Sequence, residues 1–121
     1  MERKVFYTTS IDEGKAIKDL SYKGFEKYIA DNFDVVDTKI DYTNNCDFWV
    51  KDVGPAAKIG KKLYTDVVGA GAKISNSKGD ITSFSFYKSK KIDMSISVRK
   101  SKGILEKGDF LISVAEVITH Y

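Results

Sequence analysis

One cysteine, one proline, one histidine and two arginines stand among 121 residues, and most of these scarcities close off a class of chemistry. Cys46 has no partner in the chain, so no intramolecular disulfide can form and a cysteine-rich zinc site is excluded. A single histidine, His120, excludes a histidine-rich metal site as well. The lone thiol fits a reducing compartment. No apolar run approaches the ~18 residues that a membrane-spanning helix needs. The opening residues, MERKVFYTTS, are too short and too polar for a signal peptide. A cytoplasmic protein without a membrane partner is the expectation.

Basic residues are plentiful but of one kind. Eighteen of the 20 are lysine, with arginine only at Arg3 and Arg99. Arginine's planar fork is what grips base edges and phosphates at two points, and this chain hardly uses it. The net charge of +3 hides an asymmetry. Residues 1–53 carry 8 basic and 11 acidic side chains; residues 54–121 carry 12 and 6.

Phosphate-loop chemistry is missing too. Gly69-Ala70-Gly71 follows a helical pattern, whereas a dinucleotide loop follows a strand and opens a helix. There is no GxxxxGK[ST] segment. A Cys46–His120 dyad with Asp47 or Asp109 has no supporting motif, because NNCDFW offers neither a helix N-terminus nor a sharp elbow to activate the thiol. No catalytic residue, metal ligand or cofactor is assigned.

What is present is alternation. Residues 81–99 read ITSFSFYKSKKIDMSISVR, two period-2 segments joined by a basic turn at residues 88–91. Phe84 and Phe86 share one side with Thr82; Ile92, Met94, Ile96 and Val98 share a side of the second segment. Such alternation of β-branched and aromatic with polar residues marks half-buried strands. Residues 34–42 and 46–50 read as a further antiparallel pair around the turn residues Thr43, Asn44 and Asn45. Period 2 puts Asp37, Lys39 and Asp41 on one face and Asp34 on the other.

Two helical stripes accompany the strands. After a first strand at residues 4–8, Ser10 and Glu13 have capping-box spacing. Ala16, Ile17 and Leu20, then Phe25, Tyr28, Ile29 and Phe33, follow at helical spacing. They read as one kinked helix, or as two with Ser21 capping the second. Gly54-Pro55 opens the other helix, with proline in its first turn and Ala57, Gly60, Leu63, Tyr64, Val67 and Val68 as its apolar stripe. Residues 72–75 form a short strand. Residues 110–121 (FLISVAEVITHY) are apolar on both sides and rich in Val and Ile, as a central strand would be, with a helix as the competing reading. The expectation is one α+β domain over residues 1–121, with a largely antiparallel sheet of five to seven strands and two or three helices on one face.

The polar side of the hairpin is the candidate binding surface. Ser83, Ser85, Tyr87, Ser95, Ser97 and Arg99 fall together on it, and Trp49 occupies the less apolar side of its own strand. A hydroxyl-rich platform with one tryptophan suits contact with a partner protein or a second copy of the chain. The leading expectation is therefore a non-enzymatic inhibitor, adaptor or assembly subunit. Nucleic-acid binding through Lys58, Lys61, Lys62, Lys88, Lys90, Lys91, Lys100 and Lys102, with Arg99, is the alternative. A metal-dependent nuclease or hydrolase using the Asp37–Asp47 region is third. Its acid-x-lysine element is lacking, since Asp66 is followed two positions on by Val68 and Asp93 by Ser95.

Overall fold

The computed structural model describes residues 17–118. The strand expected at residues 4–8, the Ser10–Glu13 box and His120 lie outside them. The described elements run α1 (Tyr22–Asn32), β1 (Asp34–Ile40), β2 (Asn45–Lys51), α2 (Ala56–Gly69), β3 (Lys73–Ser77), β4 (Ser83–Tyr87), β5 (Ile92–Lys100), a 3-10 turn at Gly103–Leu105, and β6 (Phe110–Ile118). The six strands form one fully antiparallel sheet in the order β1-β2-β6-β5-β4-β3.

Ser21 resolves the first helical region. Its backbone is extended and its hydroxyl accepts from the Gly24 N–H, so it is the cap and α1 starts after it. The Asp19 carboxylate in turn accepts from both the Ser21 N–H and hydroxyl. Tyr22, Phe25, Tyr28 and Ile29 then form the buried stripe of α1. In α2 the buried stripe is Ile59, Gly60, Leu63 and Val67, whereas Val68 is exposed. Gly60, Leu63 and Val67 of the expected stripe are buried as read, and only its edge differs, with Ile59 rather than Val68 facing the sheet. Pro55 sits at the cap itself, one place before the helix.

Both helices lie on one face of the sheet. That face is built from Cys46, Phe48 and Val50 of β2, Phe110, Ile112 and Val114 of β6, Met94, Ile96 and Val98 of β5, and Phe84 and Phe86 of β4, all buried. Phe86 packs on Phe25 of α1 with ring centroids 6.1 Å apart, and Tyr64 of α2 meets Phe84 edge-on at 5.3 Å. Between the helices, the Tyr28 hydroxyl donates to Asp66, and Lys62 holds the same carboxylate at 3.0 Å. The last strand is central, between β2 and β5, as its two-sided apolar character implied.

Both edge strands are irregular. The register shifts between Val35 and Asp37 in β1, and between Ile74 and Asn76 in β3. A bulge unpairs one residue, bends the edge and discourages pairing with another sheet. The β1 bulge also corrects the expected placement of Asp34. Asp34 pairs with Lys51 and Asp37 with Trp49, so the extra residue, Val36, returns Asp34 to the face shared by Asp37 and Lys39.

Candidate functional site

The second face of the sheet is polar, and pairing registers assemble it row by row. Lys39, Asp47, Ser113, Ser97 and Ser83 form one continuous row from β1 to β4. Asn45, Ala115, Ser95 and Ser85 form the next. Towards one end stand Asp37, Trp49, Leu111 and Arg99, and towards the other Val117, Asp93, Tyr87 and Lys73. Trp49, Ser83, Ser85, Tyr87, Ser95, Ser97 and Arg99 therefore share one surface. The middle rows carry only small side chains on β6, β5 and β4, so the floor is flat and low there between taller residues at its ends.

The end near Trp49 is closed by a loop. Residues 101–109 fold back so that Glu106 meets Arg99 at two points, Nη1 to Oε1 at 3.1 Å and Nη2 to Oε2 at 3.0 Å. The same carboxylate accepts from the Lys102 N–H at 2.8 Å. Ser101 closes the neck of the loop through its N–H to Asp109 O at 3.0 Å and its hydroxyl to Gly108 O at 2.7 Å. Under this strap Leu111 is buried although it lies on the polar side of the sheet, flanked by Trp49 and Arg99. Arg99 beside it holds the Glu106 carboxyl down to about 2. The Trp49 indole adds to this from nearby, but its buried N–H finds no partner in ordinary hydrogen-bond geometry.

At the other end, Asp93 is 9 % exposed. Its Oδ2 accepts from the Ser75 hydroxyl at 2.8 Å, so the carboxylate leans across β4 towards β3. Its Oδ1 is buried without a partner. Asp47, nearer the middle, is satisfied by the Ser113 hydroxyl at 2.7 Å and the Asn45 amide at 2.9 Å.

The lysines of the alternative reading do not converge. Lys58, Lys61 and Lys62 lie on α2, on the covered side of the sheet. Lys88, Lys90 and Lys91 lie at one end of β5, and Lys100 and Lys102 at the other, separated by a nine-residue strand. That length corresponds to about 30 Å. Three of the eight are committed to ion pairs, Lys58 with Asp52, Lys62 with Asp66 and Lys88 with Glu116.

The acidic region is likewise dispersed into local structure. Asp37 accepts from the Thr38 N–H, Asp41 from Thr43 and Asn44, and Asp52 from the Val53 N–H and Lys58. Among the described residues no group of three or more His, Cys, Asp or Glu side chains is placed to hold a metal ion. Cys46 is fully buried on the helix-covered face, where burial pushes its thiol up.

Sequence reasoning missed Leu111, Glu106 and Asp93 as parts of this surface. Leu111 was visible only as one apolar residue in an apolar strand. Glu106 was one charge in a charged connection, and Asp93 one polar position in an alternating strand. No helix among the described residues is long and apolar enough to cross a membrane. No family model, curated protein or solved structure matches the chain.

Proposed function

We propose that the protein acts without catalysis, by protein–protein contact through the polar sheet face, as an inhibitor, adaptor or assembly subunit. One observation carries this reading. Both of the buried side-chain polar atoms left without a hydrogen bond among the described residues, Trp49 Nε1 and Asp93 Oδ1, belong to this face. Leaving such a group unpaired costs about 1–3 kcal/mol, so folded proteins rarely carry one without a use. One is a donor that lies beside the Glu106 carboxylate without reaching it in good geometry, and the other is an acceptor. They stand at opposite ends of a flat hydroxyl floor, and a partner laid across that floor would meet its serines and the exposed Tyr87 directly, and these two atoms only by opening the side chains that cover them.

The chemistry of the floor agrees. Serine and alanine let another backbone or side chain approach closely, and the hydroxyls can donate or accept as required. Trp49 and Tyr87 supply the rigid aromatic anchors that dominate protein contacts. Sheet-bound RNA readers instead spread several aromatics over such a face for base stacking, and here Tyr87 is the one exposed ring on β4 and β5. The bulged edges disfavour assembly by strand addition, so a second copy would have to meet this one face to face.

The test is affinity capture from the native cell, with and without nuclease, using the wild-type chain and a Ser95→Arg variant. Ser95 lies mid-floor, so the arginine obstructs the face without touching the core. Capture that survives nuclease and disappears in Ser95→Arg is the expected result. Equal capture by both proteins removes the reading, and capture abolished by nuclease favours nucleic acid.

A further inference from the structure

The loop that closes the Trp49 end also holds two aliphatic side chains out in water. Ile104 is 103 % exposed and Leu105 83 %, at the apex of the 3-10 turn. Val53, 79 % exposed, lies on the neighbouring connection after β2, which Asp109 ties to the same end of the sheet through the Asp52 N–H at 3.0 Å. Single exposed aliphatics are ordinary on a protein surface, whereas a contiguous apolar patch marks a contact site.

This tip is built rather than loose. Gly103 takes a φ of 57° to make the turn, and the Leu105 N–H donates to Lys102 O at 3.0 Å. The Arg99–Glu106 pair and the two Ser101 hydrogen bonds clamp the loop below it. The backbone that carries Ile104 and Leu105 is thus held in place, so less ordering is left to be done on binding.

The surroundings select the partner. Lys102 and Lys107 flank the tip within the loop and Lys100 stands just before it at the end of β5; all three are exposed, and none is in an ion pair among the described residues. Protein interfaces favour Trp, Tyr and Arg at their hot spots and are depleted in lysine. Here the one local arginine is spent on Glu106, the tip carries no aromatic residue, and the three lysines outnumber the one remaining exposed carboxylate of the loop, Asp109. Aliphatic residues flanked by lysines are the combination that anionic lipid surfaces recognise, since apolar insertion and attraction to headgroups act together.

We propose that the Ile104–Leu105 tip is a peripheral docking site for an anionic lipid surface, with Lys100, Lys102 and Lys107 meeting the headgroups. The contact is independent of the polar sheet face and involves no spanning segment. The absence of a membrane partner expected above rested on spanning runs and leaders, which do not bear on such a contact.

The test is co-sedimentation of the full chain with vesicles of phosphatidylcholine alone or mixed with phosphatidylserine. The wild-type chain is expected on the mixed vesicles only, with binding that falls as salt rises. An Ile104→Ser/Leu105→Ser variant is expected to lose at least about tenfold in partition, since apolar burial supplies much of the anchoring. Both side chains are exposed, so circular dichroism should be unchanged. Replacing the three lysines by glutamine should flatten the salt dependence. Ser95→Arg should sediment like wild type, which separates this contact from the one proposed for the sheet face. Failure of the wild-type chain to bind mixed vesicles at low salt overturns the proposal, as does undiminished binding by the serine variant. Loss of a captured protein partner on altering the tip, without vesicle binding, would assign the tip to a protein socket and overturn it equally.

Discussion

Tyr22 and Glu116 are joined where the sheet runs out of partners. The β2–β6 ladder ends at Asn45 opposite Ala115, and the next N–H, that of Glu116, donates at 2.7 Å to the Tyr22 hydroxyl. That hydroxyl donates onward to Asn44 O at 2.6 Å. A helix side chain thus occupies the place that one more strand residue would have filled. Tyr22→Phe should destabilise the protein by about 1–3 kcal/mol, because it strands a half-buried N–H and a carbonyl. Urea denaturation measures the loss, and the Glu116 amide should exchange faster than those of Ile112 and Val114.

The Arg99–Glu106 strap sets a pH dependence. Glu106 titrates at about 2 in the folded chain, against an ordinary 4.5, chiefly because Arg99 binds its ionised form. A folded value below the unfolded one contributes stability that is fully present above about pH 4.5 and is lost as pH falls towards 2. The Lys102 amide, bonded to this carboxylate, should therefore shift with a midpoint near 2 in NMR titration. A midpoint near 4.5 would mean that the strap does not form in solution. Glu106→Gln should abolish the transition and loosen residues 101–109 at every pH.

Gly60 reverses a common rule. Replacing an interior helix glycine by alanine usually stabilises by up to about 1 kcal/mol. At this position a Cβ would lie 2.1 Å from the Ile81 carbonyl oxygen, a backbone atom with nowhere to go. Ile81 is itself held at a φ of 58°, in the left-handed region that branched residues avoid. Gly60→Ala should destabilise by about 1–3 kcal/mol through overpacking. A higher denaturation midpoint for this variant would contradict the contact.

Cys46 should behave as a reporter of unfolding. Its side chain is fully buried between the sheet and the helices, and burial holds its thiol protonated above the ordinary range. Alkylation by iodoacetamide should be undetectable in the native protein at mildly alkaline pH and should track unfolding in denaturant. Rapid native labelling would show that the α1 side of the core opens locally.

Asp93 allows the proposed contact to be tested separately from stability. Its unpaired Oδ1 is a liability in the free chain, offset only in part by the Ser75 hydrogen bond. Asp93→Ala should leave stability unchanged or raise it by as much as ~1 kcal/mol, because it removes the unpaired acceptor. Capture of a partner should weaken nonetheless. A clear loss of stability with capture intact would make Asp93 a structural residue and weaken the functional reading of the face.

Local pattern made much of this fold legible. Alternation in residues 82–87 and 92–98 identified β4 and β5 and the sides on which Phe84, Phe86, Met94 and Ile96 are buried. Ser21 was readable as a cap, because a serine before an amphipathic stripe satisfies a free N–H wherever that stripe packs. The two-sided apolar character of residues 110–118 placed β6 inside the sheet, with the helix reading set aside. The bulge at Val36 was not readable, since nothing in DVVDTKI says which residue is skipped, and one skipped residue turns Asp34 to the other face.

From sequence alone came the strands, the helices and the serine-bearing side of residues 83–99, because period 2 and period 3.6 are properties of neighbours along the chain. Tertiary structure alone brought Glu106 onto Arg99, Leu111 under the strap, Asp93 to Ser75 across β4, and the Tyr22 hydroxyl to the end of the β2–β6 ladder. Each of those contacts depends on strand order and loop closure. Pairing energies between distant segments decide both, and no local pattern encodes them.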